Sequence, residues 1–217
     1  MAPGVRELYV EGKDDVHAIL HVMRHYGVEC SVNQPRSGKP NIKHSNSVDE
    51  VLKSIEVAVS AMAGGMTGFV VDADTGPQSR WQAICDRLRK VHVETPAGPP
   101  SEGFIGTSAK FKTRVGVWLM PDNRTAGILE DFLTNLMEEG DCLLGHAEEA
   151  TVTAKHKGAT FKDAYHQKAV IHAWLAWQEE PGQPFGTAIT KRYLRADRPA
   201  GEQFARWFMK LFQLEQE

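Results

Sequence analysis

Acidic residues follow three apolar segments of this 217-residue sequence, and their chemistry suits a hard cation. Glu11 comes after "LYV", Asp72 and Asp74 come after "FVV", and Asp122 follows "VGVWLMP". Carboxylate oxygens are the ligands that Mg²⁺ and Mn²⁺ prefer. Carboxylates that converge repel one another unless a cation lies among them. We therefore predict a site for one or two Mg²⁺ or Mn²⁺ ions, with Glu11, Asp72 and Asp74 as ligands.

Two further acids lie close to Glu11 in the sequence. Asp14 and Asp15 fall at the start of a predicted helix, where acids cap the helix or interact with its dipole. We assign Asp14 to capping, and Asp15 is either a dipole partner or a further metal ligand. Asp122 precedes Asn123 and is typical of a structural turn. The same structural explanation, capping of turns and helices, is the alternative for every acid in the set.

Basic, imidazole and aromatic side chains form three other patterns. The polar segment 33–47 is predicted to be a loop and contains no acid. Its cations Arg36, Lys39 and Lys43 are predicted either to contact a nucleic-acid backbone or to be merely solvated. His17, His21 and His25 share one helix face, which we interpret as solvated or partly buried because no further ligand accompanies them. Aromatic residues at helical spacings favour core or interface packing over base stacking: Trp174, Trp177, Phe204, Trp207, Phe208 and Phe212.

The hydrophobic pattern predicts the elements that must position these residues. Strands are predicted at 5–10, 28–32, 69–71, 104–105 and 115–120, and helices at 14–26, 48–63, 127–139, 161–179 and 201–214, with one more after Pro77. Alternating strands and helices over the first 135 residues indicate an α/β fold with a parallel Rossmann-like sheet flanked by helices. We predict one α/β domain at 1–140 and a C-terminal helical extension at 141–217, packed on it.

The topology of such a sheet predicts where the acids lie. In open parallel sheets, the carboxyl ends of the strands form the functional edge, and the first and third predicted strands are often neighbours. Glu11 and the Asp72/Asp74 pair should then converge. Because side chains alternate along an extended segment, Asp72 and Asp74 should point to the same side.

Composition limits the classes of function. Hydrophobic residues make up 41% of the chain and charged residues 24%, and the net charge is −3, which does not suggest a general nucleic-acid coat but permits a local basic groove. No apolar run approaches the ~20 residues of a membrane span, and residues 1–4 do not begin a signal peptide. Cys30, Cys85 and Cys142 are widely spaced, which favours reduced thiols. We expect a cytoplasmic protein.

Two motifs resemble a known family. "VEGKDD" after a first strand and "DAD" after a later apolar strand resemble the Toprim domain of type IA topoisomerases, DnaG-type primases and OLD-family nucleases. The whole-chain pattern is similar to the small Toprim-like prokaryotic family DUF3226, through "FVVDADTGPQSRW", "MPDNRTAGILEDFL" and "FARWFMKLF". The motifs cover roughly residues 5–135. The resemblance implies a Toprim-like fold and metal-dependent phosphodiester chemistry.

The resemblance also implies roles for particular residues. Glu11 would be a metal ligand or general base, and Asp15 matches the second acid of OLD-type enzymes. A further acid after a later strand is matched by Glu130 or Asp131, of which we choose Glu130 as a ligand. A lysine that stabilises the transition state is matched by Lys155, Lys157 or Lys168, and we choose Lys168 as a catalytic residue.

The function implied is a Mg²⁺- or Mn²⁺-dependent nuclease acting on DNA or RNA, as an effector of phage defence. The first alternative is a non-catalytic subunit that binds nucleic acid or nucleotides and regulates an ATPase partner. The second is a phosphatase or phosphotransferase acting on small nucleotides. Nucleic acid, an ATPase and a second copy of the chain are the partners these readings imply.

Overall fold

Six strands form one mostly parallel sheet in the computed structural model, which describes residues 5–36 and 38–214. The strands are β1 (Arg6–Val10), β2 (Ser31–Val32), β3 (Asn41–His44), β4 (Met66–Asp72), β5 (Phe104–Thr107) and β6 (Arg114–Met120). Their order across the sheet is β2-β3-β1-β4-β6-β5, and β5 pairs antiparallel with β6. The predicted α/β class and parallel sheet are confirmed.

Helices cover both faces of this sheet. They are α1 (Lys13–His25), α2 (Val48–Ala61), α3 (Pro77–Lys90), α4 (Leu129–Thr134), α5 (Cys142–His156), α6 (His166–Leu175), α7 (Phe185–Thr190) and α8 (Pro199–Phe212), with a 3₁₀ turn at Asp163–Tyr165. Within residues 5–36 and 38–214, no helix is long and apolar enough to cross a bilayer.

Apolar side chains form one core on each side of the sheet. Helices α2 and α3 pack on one face, where Trp81 and Phe69 are buried. The opposite face holds α1, α4 and the helices from α6 to α8, with Trp118 in contact with Phe204 and Trp207. The predicted packing of the aromatic stripe is confirmed except at Trp177, whose side chain is exposed.

Helix α8 lies directly against the sheet where glycines replace larger residues. A Cβ placed on Gly68 or Gly116 would stand 2.7 or 2.6 Å from the Leu211 side chain. The guanidinium of Arg114 donates to the carbonyls of Lys210 and Leu211 at 3.1 and 3.0 Å. These contacts fix the last helix to the central strands β4 and β6.

Several element predictions were wrong. The segment 33–47 is not all loop, because Asn41–His44 forms strand β3 between β2 and β1. The long helix predicted at 161–179 begins only at His166 and ends at Leu175, where the backbone turns and Gly182 donates to the Leu175 carbonyl at 2.9 Å. Helices α5 and α7 were not predicted. The N-cap of α1 is Gly12, not Asp14. Residues 1–4 lie outside the described part of the chain.

Candidate active site

The ends of β1 and β4 meet at the carboxyl edge of the sheet. The two strands are parallel neighbours, as the sequence predicted. Glu11, the first residue after β1, accepts a 2.8 Å hydrogen bond at Oε1 from the backbone N–H of Asp72. A carboxylate that follows one strand is therefore fixed to the last residue of the next.

Asp72 is the most perturbed acid at this edge. Burial is the largest cause, and together with the nearby charges of Glu11, Asp15, Glu130 and Asp74, in that order, it raises the pKa of the Asp72 carboxyl to about 9. Its Oδ1 is buried and has no hydrogen-bond partner among the described residues. A buried carboxylate oxygen without a donor is costly, so Asp72 needs either a proton or a cation.

Asp15 and Glu11 share this environment. Burial, followed by the charge of Glu11, raises the pKa of Asp15 to about 7. The Asp15 Oδ2 also accepts from the Gly12 N–H at 3.0 Å, which fixes the carboxylate at the start of α1. Burial raises the pKa of Glu11, although the hydrogen bond from Asp72 opposes the shift.

Helix α4 supplies the fourth acid, and it is Glu130 rather than Asp131. Glu130 is buried, and its charge raises the pKa of both Asp15 and Asp72. The Asp131 carboxylate instead accepts from the Ile128 N–H at 2.8 Å and so caps the helix. The four acids Glu11, Asp15, Asp72 and Glu130 are called the carboxylate cluster below.

A lysine from α6 lies beside the carboxylate cluster. The Lys168 ammonium is 2.8 Å from Asp14 and 3.5 Å from Glu130. Burial lowers the pKa of Lys168, but these carboxylates outweigh it and the net pKa is raised. Lys155, in contrast, pairs with Asp163 at 3.1 Å and bonds the Phe161 carbonyl, and Lys157 follows the end of α5. Of the three lysines considered, Lys168 is the one that reaches the acids.

Asp74 lies at the rim of the site in contact with an arginine that the sequence did not single out. The Asp74 side chain is half exposed and forms an ion pair with Arg80 from α3. Arg80 also donates from Nε to the Asp72 carbonyl at 2.9 Å. Arg80 is the fourth residue of the helix that follows the acidic turn, and this position was the one feature that could have indicated its role. The hydrophobic pattern does not indicate which way its side chain points.

The three cations that were predicted to bind nucleic acid have different surroundings. Arg36 is exposed, whereas Lys39 pairs with Glu29. Lys43 lies on strand β3, not in a loop, and its ammonium is 2.5 Å from Glu7. Two of the three cations are thus already neutralised by carboxylates of the same chain.

Asp122 and His21 lie in structural settings. The Asp122 Oδ1 accepts from the N–H groups of Arg124 and Thr125 at 2.9 and 2.8 Å, as in an ordinary turn. On helix α1, His21 bonds the Thr190 hydroxyl at 2.7 Å and therefore packs against α7.

The carboxylate cluster has the donor chemistry of a Mg²⁺ or Mn²⁺ site. Its oxygens are hard ligands, and the unpartnered Oδ1 of Asp72 is free to accept a cation. Over residues 5–36 and 38–214, no three carboxylate, imidazole or thiol groups already stand at ligating distance from a common point. If three of these acids are to ligate one cation, their side chains would have to draw closer together.

The fold and this cluster define an α/β protein with acids grouped at the carboxyl edge of a mostly parallel sheet. The chain belongs to DUF3226, described as a protein of unknown function, whose family model matches residues 5–213. The searches of curated proteins and of solved structures gave no match.

Proposed function

We propose that this protein is a Mg²⁺- or Mn²⁺-dependent nuclease of Toprim type that cleaves phosphodiester bonds in DNA or RNA. The observation that carries the proposal is the carboxylate cluster itself. Four acids from the ends of β1 and β4 and from α1 and α4 are grouped at the edge of the sheet, and one buried oxygen of Asp72 has no hydrogen-bond partner among the described residues. Such an arrangement is costly for a structural role alone, since the acids repel one another.

The residues of the site divide the chemistry among them. Glu11, Asp15, Asp72 and Glu130 would hold the cation. A cation held by these acids would supply neutralisation of the charge on the attacking and leaving oxygens of a phosphodiester. Glu11 also has a raised pKa, which suits a group that accepts a proton from water. Lys168 would donate to a non-bridging phosphoryl oxygen as negative charge develops.

A phosphatase or phosphotransferase acting on small nucleotides is the second candidate. The observation that favours it is the internal pairing of Lys39 and Lys43, which leaves fewer free cations for a long polyanion. Both candidates use the same carboxylate cluster, so the substrate separates them.

Hydrolysis assays with matched variants test this proposal. Purified protein is given Mg²⁺ or Mn²⁺ with single- and double-stranded DNA, RNA and a small phosphate ester. We expect polynucleotide cleavage that falls about 100-fold or more in Glu11→Gln and Asp72→Asn. Asp86→Asn is the control, because Asp86 is an exposed acid on α3 that contacts Arg89 and Gln82.

The outcomes separate the candidates. Hydrolysis of the small ester without polynucleotide cleavage selects the phosphatase. Binding of nucleic acid without turnover in either metal favours the non-catalytic subunit that partners an ATPase. Activity that survives both cluster substitutions contradicts the assignment of the site.

A further inference from the structure

We propose that Asp74 acts as a positioning residue through Arg80 and is not a direct metal ligand. This inference rests on the proposed function and concerns the same site. It distinguishes two acids of one "DAD" segment that sequence alone treats as equivalent. The carboxylate cluster binds the cation, and the Asp74–Arg80 ion pair keeps the side chains of the cluster in position.

The surroundings of the two acids differ. Asp72 is largely buried, and one of its oxygens has no donor in the part of the chain that the structure describes. The Asp74 side chain is half exposed, and its charge is matched by the Arg80 guanidinium. A cation bound at Asp74 would have to share that carboxylate with a positive charge in direct contact, which Coulomb repulsion opposes. Within residues 5–36 and 38–214, the Asp72 carboxylate forms no ion pair, as the buried, unpartnered Oδ1 also indicates.

The backbone at Asp74 breaks the alternation that would bring both acids to one side. Its φ is +52°, in the left-handed region, so the chain turns after Asp72 instead of continuing as a strand. Asp74 and Gly127 exchange backbone hydrogen bonds of 2.9 and 2.8 Å. Gly127 lies just before α4, the helix that carries Glu130, so the turn ties β4 to α4.

Arg80 completes the connection from α3. Its guanidinium spans the turn, bonding the Asp72 carbonyl through Nε and the Asp74 carboxylate through Nη2, and its side chain is mostly buried. The Asp72 N–H on the other side of the residue binds Glu11. The guanidinium of Arg80 thus fixes the backbone of Asp72. The fixed backbone in turn orients the Asp72 carboxylate and the Glu11 carboxylate that is bound to its N–H.

Mn²⁺ affinity in four variants tests the inference without relying on catalysis. The free Mn²⁺ signal in electron paramagnetic resonance gives the dissociation constant for wild type, Asp74→Asn, Arg80→Gln, Arg80→Lys and the double variant Asp74→Asn/Arg80→Gln. Loss of a group that orients ligands costs about tenfold in metal affinity. We expect each single variant and the double variant to lose about this factor, with the double no worse than either single.

The lysine variant separates geometry from charge. Lysine keeps the positive charge but lacks the planar fork, so Arg80→Lys should bind Mn²⁺ as weakly as Arg80→Gln. Thermal unfolding of each variant, measured without metal, verifies that it is folded.

Three outcomes overturn the inference. If Asp74 is a ligand, Arg80→Gln frees its carboxylate and Mn²⁺ binds more tightly than in wild type, which leaves the proposed function intact. If the pair acts by net charge alone, the double variant regains wild-type affinity. If the wild-type chain binds no Mn²⁺, the result contradicts both the proposed metal site and this inference.

Discussion

The buried acids Asp15 and Asp72 make the metal-free protein sensitive to pH. Both have folded-state pKa values, about 7 and about 9, that exceed the value of about 4 of an unfolded aspartate. The folded state therefore holds protons that the unfolded state has released. The stability that these groups contribute is complete below pH ~4 and is lost as pH rises through their folded pKa values.

The first prediction follows from this sign. In EDTA, the free energy of unfolding of the wild type should fall between pH 5 and pH 9, and that of Asp72→Asn should fall less, because the amide has no proton to lose. The variant should be the more stable protein at pH 9. Urea unfolding at both pH values measures the difference. An equal decline in the two proteins would contradict the raised pKa of Asp72.

The second prediction concerns the lysine at the edge of the site. Lys168→Met should lower the proposed cleavage activity by about 100-fold, because a donor to the phosphoryl oxygen is lost. Lys155→Met is the matched control, since that ammonium bonds the Phe161 carbonyl and Asp163 instead. Rates with Mg²⁺ under saturating substrate measure the effect. Equal losses in the two variants would show that Lys168 has no special role.

At the scale of elements, the docking of α8 depends on glycines in the central strands. Gly116→Ala should destabilise the protein by about 1–3 kcal/mol, because the added Cβ meets Leu211. Gly145→Ala is the contrasting variant. It lies within α5 with no atom within 4 Å of an added Cβ, and it should stabilise by about 0.4–1 kcal/mol. Denaturant unfolding measures both, and a change of the same sign would contradict this account.

The strand ends were predictable from the sequence because apolar runs and the acids after them are local features. Val10–Glu11 and Val71–Asp72 mark where two strands stop, and the edge rule for parallel sheets then brings them together. Strand β3 was missed because only Ile42 in Asn41–His44 is apolar, while its neighbour Lys43 is accommodated by pairing with Glu7 on β1. Glu7 is 36 positions away from Lys43 in the sequence, so the hydrophobic pattern around Lys43 does not reveal this pairing.

The rest of the site depends on tertiary placement. Whether Glu130 or Asp131 faces the cluster is decided by the rotation of α4, which the Ile128 cap fixes. The choice of Lys168 over Lys155 depends on where α6 lies relative to the first turns of α1 and α4. The contacts of Arg80 likewise depend on tertiary structure, because its partners are a carbonyl and a carboxylate of a turn with a positive φ.

For the molecule as a whole, metal binding and folding should be coupled. A ligand that binds only the folded state stabilises it by about 2.7 kcal/mol at 100 times its Kd, or several degrees in melting temperature for a chain of this size. We expect Mn²⁺ to raise the melting temperature at pH 8, EDTA to reverse the rise, and Asp72→Asn to abolish it. An equal rise in Asp72→Asn would place the bound ion elsewhere on the protein.

The reach of Lys168 to Asp14 links the first helix with the last third of the chain. During synthesis, Glu11, Asp15, Asp72 and Glu130 all emerge before the segment that carries this lysine, so the nascent chain spends a few seconds with its acids made and their cationic neighbour missing. Under the proposed function, a chain that ends before Lys168 would lack the donor to the phosphoryl oxygen, and its cleavage rate should be low even with all four acids in place.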